Sequence, residues 1–127
     1  MRIKGLVTEE LFDGYKITCD IIRMGKDYTL CVYGGDTPHA GAVVMSVARP
    51  SLTGNGTGVT SSVLTGMGHK DDMVAKWFAE EIARKENCTV VCSCGIHVDN
   101  ITAEQIKIVT EKSSILLRKI EEEIENI

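Results

Sequence analysis

Three histidines, His39, His69 and His97, each follow closely on a glycine or proline at what reads as the end of a strand. They lie in the loops Gly34-Gly35-Asp36-Thr37-Pro38-His39, Gly68-His69-Lys70-Asp71 and Gly95-Ile96-His97-Val98-Asp99-Asn100. A plain hairpin turn needs a few small or polar residues and no imidazole. Neutral imidazoles brought together can hold a divalent metal such as zinc, iron or manganese, with Asp36, Asp71 or Asp99 orienting them. The same groups could bond the polar edge of a flat, phosphorylated cofactor while glycines let its ring approach the backbone. Nucleophilic catalysis is poorly supported, because no cysteine lies in these loops and Ser61-Ser62 has no base beside it. Taken singly, each histidine also has a plain structural explanation: His39 sealing a turn after Pro38, His97 half-buried under Ile96 and Val98. The question is whether the three loops meet.

The elements between them answer by direction. Tyr15, Ile17, Cys19 and Ile21 alternate with polar residues, which is a strand with one wetter face. Gly25-Lys26-Asp27 turns the chain, and Tyr28 to Tyr33 returns. Ala40 to Ala48 is apolar on both parities and reads as a central strand covered on both sides. The segment 49–57 carries breakers and reads as a loop, and 58–64 is a fourth strand rich in hydroxyls. A helix follows over 70–86, with the stripe Met73, Val74, Trp77, Phe78 and Ile82. Cys88 to Cys94 is a fifth strand. A last helix starts at the capping box Thr102-Ala103-Glu104-Gln105, with the stripe Ile106, Val109, Leu116, Leu117, Ile120 and Ile124. Residues 1–13 fit either an edge strand or a helical turn.

If consecutive strands form hairpins, the first four run up, down, up, down. The strand–helix–strand crossover to the fifth is parallel. His39, His69 and His97 then share one rim, and both helix N-termini face it. Free N–H groups there, with Lys70 nearby, favour an anion such as phosphate. Pocket-forming rims at the carboxyl ends of strands are common ligand sites.

Composition narrows the class. With 127 residues, 43% hydrophobic and 25% charged, the chain is one globular domain over 1–127. A net charge of −4 argues against nucleic-acid binding, no apolar run is long enough for a membrane span, and Met1-Arg2-Ile3-Lys4-Gly5 lacks the apolar core of a signal peptide. The five cysteines read as reduced in a cytoplasmic protein. Cys88, Cys92 and Cys94 share a strand face as core residues, and Cys19 and Cys31 serve as small fillers.

The loops Gly34-Gly35-Asp36-Thr37-Pro38-His39-Ala40-Gly41, His69-Lys70-Asp71 and Gly95 to Thr102 resemble those of the prenylated-flavin chaperone family typified by LpdD, small D subunits associated with gallate and related phenolic-acid decarboxylases. The resemblance runs from the first hairpin to the last helix. It implies binding of prenylated FMN (or FMN) and its handling for a UbiD-type decarboxylase as client, a carrier or maturation role rather than catalysis. It also implies cofactor contacts at the positions that match the motif: Gly34, Gly35, Pro38, His39, His69, Lys70, Asp71, Gly95, His97 and Val98. Ala40 departs from the larger aliphatic often found after the first histidine, and 50–62 differs from the decarboxylase-associated members.

The expected fold is α/β (α+β), a mixed, mostly antiparallel sheet of five or six strands with two long helices on one face. The two-sided apolar strand leads to a homodimer, or a higher homo-oligomer, that buries the other face. Two alternatives to the cofactor chaperone stay open: a small metal-dependent enzyme using His39, His69 and His97, and a non-catalytic subunit of a larger decarboxylase.

Overall fold

Period-two alternation builds the first half of the fold. In the computed structural model, which describes residues 3–65 and 71–127, strands β1 (Lys4–Glu10), β2 (Lys16–Met24) and β3 (Asp27–Gly35) form an antiparallel meander. Ile17, Cys19, Ile21, Leu30 and Val32 are buried on one of its faces. Gly25 makes the β2–β3 turn at φ +64°, a conformation that glycine adopts without a Cβ penalty. The N-terminal residues, open between strand and helix, form the edge strand, and Glu9 faces the helix layer, where Lys112 and Lys119 bond it.

The second half adds β4 (Ala42–Pro50), β5 (Thr57–Thr65), α1 (Asp71–Glu86), β6 (Thr89–His97) and α2 (Ala103–Ile124). The breaker-rich loop is thus shorter than expected, because both flanking strands extend into it. The sheet order is β1-β2-β3-β6-β4-β5. The hairpin expected between β3 and β4 does not form: β6 enters between them, parallel to β3 and antiparallel to β4. The insertion gives Val90, Cys92 and Cys94, all buried, the centre of the sheet, where their strand is paired on both edges. Strand directions survive this correction. β3 and β6 are parallel, and β4 is antiparallel to both β6 and β5, so β3, β5 and β6 all end at one rim.

Helix α1 lies over β4, β5 and β6, and α2 over β1 and β2. Phe78, Ile82, Leu116 and Ile120 close one core with the buried strand residues. Thr102 caps α2 as expected, its hydroxyl accepting from Gln105 N–H while the Gln105 side chain accepts from Thr102 N–H. Among the described residues, no helix is long and apolar enough to cross a membrane.

One expectation changes here, at Cys31, and the second cover expected over β4 is not supplied by the described chain. Residues Ala42, Val44 and Ser46 of β4 are buried, but Met45 and Val47 are 47% and 40% exposed on the opposite face. Within the described chain that face stays open, because the N-terminal residues extend the sheet as β1 instead of crossing it. Cys31 is also not a core filler; it lies exposed on the open face with its thiol 3.1 Å from the Ser93 hydroxyl. Cys19, Cys88, Cys92 and Cys94 are buried, and burial pushes their thiols up, Cys88 to about 11.

Candidate functional site

Because β6 separates β3 from β4, the chain between those strands must cross the end of β6. Backbone bonds fasten the crossing: Asp36 N–H and Thr37 N–H donate to the His97 carbonyl, His39 N–H to Gly95, and Gly41 N–H to Cys94. Glycines make this approach possible. A Cβ on Gly95 would run into the carbonyl of His39, and one on Gly35, which sits at φ +83°, into the carbonyl of His97. Gly34 is similarly pressed against the backbone of Lys16 and Ile17. These three glycines, expected to let a ligand approach, have a backbone-packing task that is independent of any ligand.

The crossing loop carries His39 to the first turn of α1. Its Nε2 lies 3.2 Å from Oδ2 of Asp71, and its Nδ1 lies 3.1 Å from the Thr37 carbonyl. Asp71 is only 7% exposed, and its other oxygen accepts the Ile96 N–H at 3.0 Å. A carboxylate in the first helical turn is favoured by the positive end of the dipole. That end of α1 therefore already holds a negative group of its own, which alters the expected phosphate seat.

His97 stands beside His39, ring centroids 6.2 Å apart and edge to face. Its Nε2 lies 2.9 Å from Asp99 Oδ1, and Asp99 N–H donates to Asp36 at 2.7 Å. That amide holds the Asp36 carboxyl below its usual range, helped by the Thr37 hydroxyl and the His97 ring against a smaller desolvation cost. The described residues thus bring together two of the three histidines and all three neighbouring aspartates; His69 and Lys70 lie outside the described residues. The alternative of a three-imidazole metal group includes His69 and so reaches outside the described residues. Among the described residues, the ligand atoms that converge, within 4.8 Å of one another, belong to Asp36, His97 and Asp99.

Between the two helices this rim opens into a cavity of about 400 Å³. His39, Asp71 and His97 form its polar side. Met73 and Val74 of α1, Ile96 and Val98 at the end of β6, Ile101, and Ile106, Val109 and Thr110 of α2 supply the rest. The size falls within the usual range for small-ligand sites, and apolar walls with a few convergent polar groups are their usual chemistry. Met73, Val74, Ile106 and Val109 read from sequence as core stripe. The available signal was that both stripes begin in the first two turns of helices whose N-termini face the rim.

Comparisons with known proteins agree with this architecture. The family model described as Prenylated flavin chaperone LpdD-like domain matches residues 12–125. Protein LpdD of Lactiplantibacillus plantarum is 31% identical over 111 residues, covering 84% of this chain and 76% of the relative. Among solved structures, a chain from the crystal structure of a novel chaperone complex for yeast 20S proteasome assembly superposes with a TM-score of 0.62. That match covers 97% of this chain and 94% of the other at 13% identity, a likeness of fold.

Proposed function

The chain belongs to the prenylated flavin chaperone LpdD-like family, and from that premise we propose that it binds prenylated FMN in the rim cavity and delivers it to a UbiD-type decarboxylase. The observation that carries this reading is the apolar cavity of about 400 Å³ with His39 and His97 on its polar side. Aliphatic and thioether walls suit a flat ring enlarged by a hydrocarbon substituent, and burying such surface stabilises by about 25 cal/mol per Å². The cavity's polar groups would fix the ring's orientation. Asp71 keeps His39 in place and puts a negative charge at the start of α1, so the phosphate belongs away from that carboxylate. The decarboxylation chemistry that the cofactor supplies is exercised in the client; this chain's residues bind, orient and shield.

Of the motif positions, His39, Asp71, His97 and Val98 line the cavity. Gly34, Gly35 and Gly95 let the crossing loop close over β6, and Pro38 lies within that loop. His69 and Lys70 complete the proposed site by resemblance. The protein acts as a homo-oligomeric, cytoplasmic accessory factor rather than as an enzyme.

The test is co-expression with a prenyl-flavin synthase, followed by absorbance and mass spectrometry of the purified protein. Prenylated flavin should co-purify with the wild type and be lost from folded His39→Ala. Adding the loaded protein to an apo-decarboxylase should restore its activity. A colourless protein carrying stoichiometric metal, or one carrying neither ligand, would overturn the proposal.

A further inference from the structure

The two edges of the sheet are built differently. β1 carries Lys4, Glu9 and Glu10, and Lys119 of α2 bonds the Thr8 carbonyl at 2.9 Å; charges of this kind blunt an edge against foreign strands. β5, at the other edge, reads Thr57-Gly58-Val59-Thr60-Ser61-Ser62-Val63-Leu64-Thr65, with no charge and no proline.

Among the described residues, the backbone groups that β5 turns away from β4 can be assigned. Ala48 N–H donates to Cys88, so the polar backbone groups of Ala48 point toward β6, and alternation turns those of its neighbours Val47 and Arg49 toward β5. The β4–β5 register places Arg49 opposite Gly58 and Val47 opposite Thr60. The ladder to β4 is therefore carried by Gly58, Thr60, Ser62 and Leu64. The N–H and C=O groups of Thr57, Val59, Ser61, Val63 and Thr65 face outward. Arg49 agrees with this assignment, reaching past Gly58 to the Val59 carbonyl at 3.3 Å, a long bond from a flexible side chain. Apolar surface is also left uncovered at this edge, Val63 being 41% exposed on the helix face and Leu64 74% on the open face.

We propose that β5 pairs antiparallel with β5 of a second copy about a two-fold axis at Ser61, making one continuous sheet. The sequence is self-complementary about that residue. Val59 opposes Val63 of the second copy, Thr60 opposes Ser62, and Thr57 opposes Thr65, with each partner on the same face. Gly58 sits opposite Leu64, and the Arg49 guanidinium that lies over the glycine must swing aside for the larger side chain. A slip of two residues in either direction sets each valine against a hydroxyl, so this register is preferred among those that keep the faces matched. A client strand has no such reason to match the pattern, which selects a second copy as the occupant. The contact is isologous, keeps all four helices on one side and sets the two open faces side by side.

Sedimentation of the full chain should give a dimer. Val63→Pro removes an outward N–H without touching the β4 ladder, and should lose the dimer with the circular dichroism retained. A Thr60→Cys/Ser62→Cys pair in a Cys31→Ser background places thiols on directly opposed, non-hydrogen-bonded positions, where Cα atoms are about 4.5 Å apart and a disulfide fits. Mild oxidation should yield a covalent dimer, whatever Val63→Pro does to folding. A monomer at all concentrations would overturn the proposal. So would a dimer that resists both tests and dissociates on Met45→Glu, which would assign the contact to the open face.

Discussion

His39 and Asp71 face each other across the rim at 3.2 Å, and the same carboxylate takes the Ile96 amide at 3.0 Å. One nearly buried acid thus joins the crossing loop, the first turn of α1 and the end of β6. Replacing it by alanine leaves a part-buried amide donor without its acceptor, a loss toward the lower end of about 1–3 kcal/mol. Urea unfolding should register that drop for Asp71→Ala. Asp71→Asn keeps an oxygen for Ile96 and should cost less; equal costs would mean that the acceptor is unimportant.

Gly95 lies directly beneath the His39 carbonyl, so a methyl group there must push the crossing loop away. Overpacking of this kind costs about 1–3 kcal/mol, and here it also displaces His39 from the cavity. Gly95→Ala should lower the melting temperature and reduce cofactor loading together. Gly14→Ala is the comparison: its Cβ meets nothing and only φ +80° opposes it, so loading should be unchanged.

Ile106 lines the cavity and is 38% exposed. Ile106→Trp should fill space without entering the core, lowering flavin affinity about tenfold or more, equivalent to at least about 1.4 kcal/mol, while leaving the melting temperature near wild type. Fluorescence titration with FMN or the prenylated flavin measures it; unchanged affinity would move the binding site elsewhere.

The Glu9 carboxyl is held below its ordinary range chiefly by the Lys119 ammonium at 2.6 Å, with Lys112 adding to it against a desolvation cost. A depressed folded-state pKa contributes stability above the unfolded pKa, and that contribution disappears as pH falls through the folded value. Glu9→Gln should therefore be less stable at neutral pH by about 0.5–1 kcal/mol, as expected for a pair of this exposure. The gap should close in acid below the folded pKa. A gap independent of pH would show that charge is not its source.

Among the five cysteines, Cys31 alone is exposed, and the other four are buried with thiols pushed above their ordinary range. Alkylation of the native protein near pH 8 should modify Cys31 quickly and the remaining four only on unfolding, which peptide mass spectrometry resolves. Rapid labelling of Cys92 would mean that the sheet centre opens.

From Tyr15 onward, the sequence by itself determined the elements and their directions. Alternation in Ile17, Cys19 and Ile21, the stripe through Phe78 and Ile82, and the Thr102–Gln105 capping box are local patterns, set by side-chain period and backbone capping. Direction counting then brought His39 and His97 to one rim, because antiparallel neighbours and a parallel crossover leave little choice. Only the tertiary structure decided that β6 would part β3 from β4, since strand order depends on which strand gains most from burial at the centre. That insertion sends residues 36–41 across β6 and gives Gly35 and Gly95 their close contacts. The same packing decided that Asp71 would turn inward to Ile96, that Ile106 and Val109 would wall a cavity instead of filling the core, and that Met45 and Val47 would stay uncovered. Such outcomes depend on which distant surfaces meet, and no local pattern in the chain records that.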